Sequence, residues 1–240
     1  MTLLHFLEQF PQMNFDMGDC DGETPLFHSL SSKQLEMTKF FVSKGANLSK
    51  LSTKRGWSPL YVAATLSTIE SLEYLVSLGC DVNLPTFIKR TALTKTCWMG
   101  REDSVKVLLK HPGINLEWKA NSERTALQHA VWGPYGGKDG KKHGTNPKDS
   151  PGCARLLLEA GADPNNPDVK GKTPLHTACQ TGGADCVPIL LDYGADINAK
   201  LKTGATPLHC CCYFGNSEPF MALLKYVETH PEIKLDTEIR

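Results

Sequence analysis

The run His209-Cys210-Cys211-Cys212 is where residue types first suggest chemistry, because thiolates and imidazole are good zinc ligands. Its spacing argues against a metal. Consecutive helical residues point about 100° apart, so four neighbours cannot converge on one ion. The stretch GPYGGKDGKKHGTNPKDSPG, residues 133–152, suggests a cradle of backbone amides for phosphate. It holds no G-x-x-x-x-G-K-[ST] and follows no strand pattern, which leaves Lys138, Lys141, Lys142 and Lys148 as possible contacts to an acidic partner. There is no nucleophile elbow and no H-E-x-x-H, and no cysteine has a positional reason to be activated. No catalytic residue, metal or cofactor is assigned, and the expectation is a binding protein, not an enzyme.

Elements of some kind must position whatever this chain uses instead. Its 240 residues carry 26 basic and 26 acidic side chains, so no global charge draws it to nucleic acid or to an anionic membrane. No apolar run approaches the roughly 18 to 20 residues of a bilayer span, and the start MTLLHFLEQFPQ lacks a basic leader and a small-residue cleavage site. Nine irregularly spaced cysteines read as reduced thiols. The expected location is cytoplasmic, with the nucleus as the alternative.

A short motif recurs as TPLF (24–27), SPLY (58–61), TALT (91–94), TALQ (125–128), TPLH (173–176) and TPLH (206–209), at spacings of 34, 33, 34, 48 and 33. Each motif opens a short helical segment with small residues inside. A second apolar helix follows, such as SVKVLLK, CARLLLEA or CVPILLDY, then a glycine turn and an extended stretch. In Gly161-Ala-Asp-Pro-Asn165 and Gly194-Ala-Asp-Ile-Asn198 the glycine supplies a positive φ at the helix end.

These units resemble the ankyrin repeat over nearly the whole chain, most closely in GADPNNPDVKGKTPLHTACQTGGADCVPILLDYGADIN. The resemblance implies an all-α repeat solenoid: six helix pairs joined by β-hairpin-like fingers, forming one domain over residues 1–240. Thr and Pro would start each inner helix, and the motif histidines, His176 and His209, would bond neighbouring backbone. Cys211 and Cys212, like Cys97 and Cys179, would fill positions the family gives to alanine. Residues 2–10 align as an outer helix without its inner partner, Pro231 places a further motif near position 244, and both half-units suggest a longer parent. The 48-residue spacing marks residues 133–152 as a loop inserted between the helices of the fourth unit.

On such a scaffold, finger tips and inner helices line one concave face, and function lies in what departs from the repeat there. Three of the four tryptophans fall in those columns. The expected partner-binding residues are Trp57, Phe87, Arg90, Trp98, Met99, Arg124, Trp132, Lys172, Tyr213 and Phe214, of types enriched in interface hot spots. Lys54, Arg55, Lys89, Lys170 and Lys202 add positive charge, whereas the first finger carries Asp19, Asp21 and Glu23. The expected function is a monomeric protein-interaction scaffold for an acidic segment with hydrophobic anchors. The alternatives are a methyl-lysine cage of Trp98, Met99 and Trp132, nucleic-acid or phosphoinositide binding by the basic fingers, or a substrate-recruiting segment of a larger multidomain protein.

Overall fold

A motif that begins Thr-Pro is suited to start a helix. The hydroxyl accepts from an early amide, and proline fixes φ where its missing N–H costs nothing. In the computed structural model, which describes residues 14–121, 123–132 and 150–236, all six motifs open an inner helix. The described pairs are α1 (Pro25–Ser31) with α2 (Leu35–Ser43), α3 (Pro59–Leu66) with α4 (Ile69–Ser77), and α5 (Ala92–Met99) with α6 (Glu102–Leu109). They continue as α7 (Ala126–Trp132) with α8 (Ser150–Glu159), α9 (Pro174–Thr181) with α10 (Cys186–Asp192), and α11 (Pro207–Phe214) with α12 (Ser217–Thr229). Ser58 Oγ accepts from the Tyr61 amide at 3.1 Å, the bond that the motif's first residue is placed to make.

The chain divides into two compact units, Met1–Ala92 with Lys110–Ile114, and Leu93–Leu109 with Asn115–Arg240. In the first, α1 packs on α2 and α3, and α4 packs on both α2 and α3. In the second, inner helices α7, α9 and α11 follow one another in one layer, and outer helices α6, α8, α10 and α12 follow one another in the other. The motif leucines Leu26, Leu60, Leu93, Leu127 and Leu175 are buried, each worth about 1.5–3 kcal/mol against exposure. Small buried residues beside them, among them Ala63, Ala64, Ala130 and Ala178, admit the neighbouring helix at the usual interaxial distance of about 8–10 Å. The outer helices bury stripes at helical spacing, such as Leu72 with Leu75 and Val105 with Leu108.

No strand occurs among the described residues; each finger is a tight turn closed by backbone bonds across its base and within it. Thr86 donates to the Arg90 carbonyl at 2.9 Å, Asp168 to Lys172 at 3.0 Å and Leu201 to Ala205 at 2.9 Å. Successive fingers touch edge to edge, since the Lys202 amide donates to the Lys170 carbonyl at 3.2 Å. Glycine is needed at Gly171, where φ is +78° and a Cβ would stand 3.2 Å from the Lys202 amide. Gly204 has the same left-handed φ, +83°, but open space around its Cα. Behind the fingers, Asn165 spans one repeat to the next, donating to the Gly194 carbonyl at 2.9 Å and accepting from the Asp196 amide at 2.7 Å.

The outer helix expected at residues 2–10 lies outside the described residues, as does 133–149 of the expected loop. The loop's remaining residues, Ser150–Gly152, are helical and form the first turn of α8, so that boundary moves. Pro151 is compatible with this because a proline in a helix's first turn removes no internal bond.

Candidate functional site

In the fourth and fifth repeats the motif's fourth residue ties its repeat to the next finger. His176 Nδ1 accepts from the Thr173 amide at 3.3 Å, so the neutral ring carries its proton on Nε2, which donates to the Ala205 carbonyl at 3.2 Å. Burial holds this imidazole below its ordinary pKa, with the Ala205 carbonyl opposing and the Lys172 charge adding to the shift. Gln128 does the same work in the fourth repeat: Oε1 accepts from the Thr125 amide at 3.2 Å and Nε2 donates to the Lys172 carbonyl. His209 repeats the first half of the pattern, with Nδ1 accepting from the Thr206 amide at 3.1 Å. Its Nε2–H meets no acceptor among the described residues.

Within the first unit, Trp57 stacks on Tyr61 with centroids 5.5 Å apart, and the Arg55 guanidinium sits 4.5 Å over its ring. Burial pushes the Tyr61 phenol up to about 12. Arg90 is half-buried near that phenol, its amide donating to Thr86 Oγ1 at 3.2 Å. Phe87 lies at the finger apex, 60% exposed, beside exposed Ile88. Lys54 pairs with Asp21 at 3.1 Å, so the first finger's acid is spent against a neighbouring base.

Within the second unit, Trp98 lies under the Lys95 ammonium at 3.9 Å, and Trp132 under the Arg124 guanidinium at 4.0 Å. Trp98, Met99 and Trp132 are half-buried. Each of Trp57, Trp98 and Trp132 thus presents one ring face to a cation of its own repeat. A cation over an aromatic face gains about 0.5–2 kcal/mol, which a ligand would have to replace.

Open apolar surface lies further along. Tyr213 is 84% and Phe214 46% exposed, their rings edge to face at 5.0 Å. They flank a groove of about 700 Å³ between the fifth and sixth fingers, into which Val169, Leu201, His209, Lys170, Lys172 and Lys202 also project. Lys172 is half-buried and its ammonium donates to Gln180 Oε1. Burial lowers its pKa, Asp168 opposes this, and Arg124 and Lys170 add to it. Burial lowers the Arg124 pKa as well, again opposed by Asp168. Asp168 itself is buried, and its Oδ1 already accepts the amides of Lys170 at 2.8 Å and Lys172 at 3.0 Å. Among the described residues, the groove's lining contains three lysines and no carboxylate.

Of the expected residues, the structure therefore gathers Lys172, Tyr213 and Phe214 into one groove and sets Arg124 with Trp132 beside Lys172. Trp98 and Met99 do not line it, and Trp57, Phe87 and Arg90 belong to the first unit. Val169 and Leu201 are lining residues that the repeat alignment does not single out. Their signal was an apolar residue in a turn otherwise made of Lys, Asp, Thr and Gly.

The cysteine run diverges along α11 as helix geometry requires. Cys210 and Cys211 are buried and Cys212 is exposed. Small-residue packing thus accounts for Cys97, Cys179 and Cys211, and the expectation for Cys212 is corrected: unlike Cys179 at the equivalent position, it is exposed among the described residues. Cys211 hydrogen-bonds the Cys179 thiol, which sits well above its usual pKa through that bond and burial. One gathering of acid and imidazole, Asp19, Glu23 and His28, occurs among the described residues. There Asp19 Oδ1 accepts the Asp21 and Glu23 amides at 2.9 and 3.0 Å, and Oδ2 meets His28 Nε2 at 3.0 Å. The first finger's own backbone thus uses this carboxylate, and the Glu23 amide is the main cause holding it below its ordinary pKa.

Among the described residues no helix is long and apolar enough to cross a membrane. A family model of ankyrin repeats, three copies, matches residues 2–86 and 146–234. The chain is 28% identical over 179 residues to human ankyrin repeat and SOCS box protein 16, covering 74% of this chain and 37% of that protein. It is 26% identical over 172 residues to the putative ankyrin repeat protein YahD of Escherichia coli K12, covering 71% of this chain and 80% of YahD. Among solved structures, the ankyrin repeat domain of Bcl-3, a member of the IkappaB family, superposes with a TM-score of 0.71 at 25% identity, over 87% of this chain and 86% of that one. An ankyrin repeat domain of Acinetobacter baumannii AYE shares the fold, with a TM-score of 0.70 at 24% identity over 84% and 96% of the two chains. With the motifs, the paired helices and the finger ties all in the same register, the chain belongs to the ankyrin-repeat family, whose repeats are general protein–protein interaction modules.

Proposed function

We propose that this chain is a protein-interaction module whose second unit binds an acidic segment of a partner protein on its finger and inner-helix face. The observation that carries this is the unbalanced charge there. Arg124, Lys170 and Lys172 stand by Asp168, a buried carboxylate that backbone amides already occupy, and Lys202 lines the same groove as Lys170 and Lys172, next to exposed Tyr213 and Phe214. Keeping like charges together costs stability, and an acidic partner relieves that cost while speeding encounter. The chain's zero net charge makes this a local preference and sets it apart from polyanion binding. A methyl-lysine cage has less support, because the Trp98 and Trp132 rings already hold Lys95 and Arg124.

Selection from a phage-displayed library of random dodecapeptides tests the proposal. Peptides recovered on the wild-type chain should be rich in Asp and Glu together with large apolar residues. A variant with Lys170, Lys172 and Lys202 all changed to Glu should not recover them. Neutral or basic peptides on the wild type, or the same acidic set on the variant, would refute it.

A further inference from the structure

Beyond that reading, we infer that the tips of the second and third fingers, in the first unit, dock on an anionic lipid surface. Phe87 and Ile88 enter the outer edge of the bilayer, and Arg55 and Lys89 meet the headgroup charges.

Three observations converge on this occupant. The first is where the apolar surface stands. The Thr86 amide closes the base of the third finger on the Arg90 carbonyl at 2.9 Å. The Lys89 amide returns to the Thr86 carbonyl at 2.8 Å, which makes Phe87 and Ile88 the two central residues of the turn. They are 60% and 50% exposed, side by side at the apex. A first finger closed at Asp19 and Glu23 precedes this pair in the chain, and a fourth closed at Ala120 and Arg124 follows, so the exposure does not come from an end of the array. The second is bracing. The Phe87 amide donates to the Arg55 carbonyl at 3.4 Å, and the ring lies against Gly56, where a Cβ would stand 2.5 Å from Phe87 Cδ1. Gly56 also has a φ of +66°, so glycine serves there twice. An exposed aromatic held in place leaves little ordering to be done on binding.

The third is charge, and the order in which it comes. Residues 52–57 and 86–90 contain Lys54, Arg55, Lys89 and Arg90 and no carboxylate. Lys54, Arg55 and Lys89 are exposed, and Arg90 is half-buried at the base of its finger. Asp21 of the first finger is taken by Lys54 at 3.1 Å, which leaves Arg55, Lys89 and Arg90 as the local surplus. Apolar side chains at an apex with cations beside and behind them follow the order of a bilayer's edge, where anionic headgroups lie outside the acyl chains. An acidic protein would satisfy the cations but would need a socket shaped for a convex tip, whereas a lipid surface takes such a tip anywhere. The chain's zero net charge confines the attraction to this patch.

Co-sedimentation of the full chain with extruded vesicles of phosphatidylcholine containing about 30 mol% phosphatidylserine provides the test. Half-saturation is expected below about 1 mM accessible lipid, weakened more than about tenfold on pure phosphatidylcholine or when salt rises from about 0.05 to 0.5 M. Ile88→Ser should weaken binding more than about fivefold, and Phe87→Ser with Ile88→Ser more than about tenfold. Because Ile88 is exposed, its single variant keeps the fold. Leu78→Ser removes another exposed apolar residue of the same unit, at the end of α4, and should bind as the wild type does. No sedimentation up to about 1 mM lipid overturns the inference, as does equal binding to neutral vesicles. So does Ile88→Ser binding like the wild type, or an equal loss in Leu78→Ser. Soluble polyglutamate is the parallel probe: Ile88-dependent binding to it without binding to vesicles assigns the tip to an acidic protein, and the lipid inference falls. The interaction-module reading is untouched by these outcomes, since the library selection reads the second unit through Lys170, Lys172 and Lys202.

Discussion

Gln128 and His176 show how two side chains of different chemistry perform one task, and the difference is a proton. The buried His176 resists protonation, whereas in the unfolded chain it takes up a proton near its ordinary value of about 6.5. The unfolded state therefore binds more protons as pH falls through that value. The stability His176 contributes is present above about pH 6.5 and is lost as pH falls from there toward its depressed folded value. His176→Gln, copying the bonds of Gln128, should leave stability at pH 7.5 within about 1 kcal/mol and flatten the slope of stability against pH below about 6.5. Urea unfolding at a series of pH values measures it, and an unchanged slope would remove His176 as the cause. The roles of Thr173 and His176 were legible through the motif's resemblance to the ankyrin repeat. The covering of the tryptophans was less so: Lys95 and Trp98 are three apart on one helix, a spacing that brings side chains together. Arg124 meets Trp132 only because the finger folds back over its own helix, which sequence distance conceals.

At the scale of elements, the fingers carry the more exacting fit. Gly171→Ala places a methyl 3.2 Å from the Lys202 amide at a positive φ, whereas Gly204→Ala meets the same strain with no neighbour. Left-handed strain alone costs about 1–2 kcal/mol, so Gly204→Ala should lose that amount and Gly171→Ala measurably more. Equal losses in urea midpoint would show that the finger contact is slack. Inner and outer helices were readable from apolar spacing and Thr-Pro starts. The first turn of α8 was not, since Pro151 and Gly152 are loop-forming types. A Cβ on Gly152 would meet only the carboxylate end of Glu102, at 2.6 Å, a side chain free to swing aside.

Over the whole molecule, the repeat period was legible as sequence, but which surfaces the stacking leaves bare was not. The same T-P-L-H motif buries Cys179 and exposes Cys212, because burial depends on the neighbouring repeat and not on the repeat itself. Of the nine thiols, Cys20 and Cys212 are exposed, and burial drives others up, Cys80 to about 11 and Cys186 to about 12. A thiol-specific dye should therefore label two cysteines quickly in the native protein and the other seven only on unfolding. Peptide mapping that finds early label on Cys97 or Cys153 would contradict the packing described for the second unit.

The tie from Gln128 to the Lys172 backbone bridges 44 positions of chain, where the matching tie from His176 to Ala205 bridges 29. Lys119 to the Pro167 carbonyl and Glu117 to the Asp163 amide close the same junction, and none of these bonds uses residues 133–149. The fourth repeat thus has a port: its two helices hold their register from outside the excursion that joins them. Doubling the length of such an excursion adds only about 0.6 kcal/mol of closure entropy. A reporter or sensor domain spliced between Trp132 and Ser150 should leave these ties, and the register of the two helices, in place.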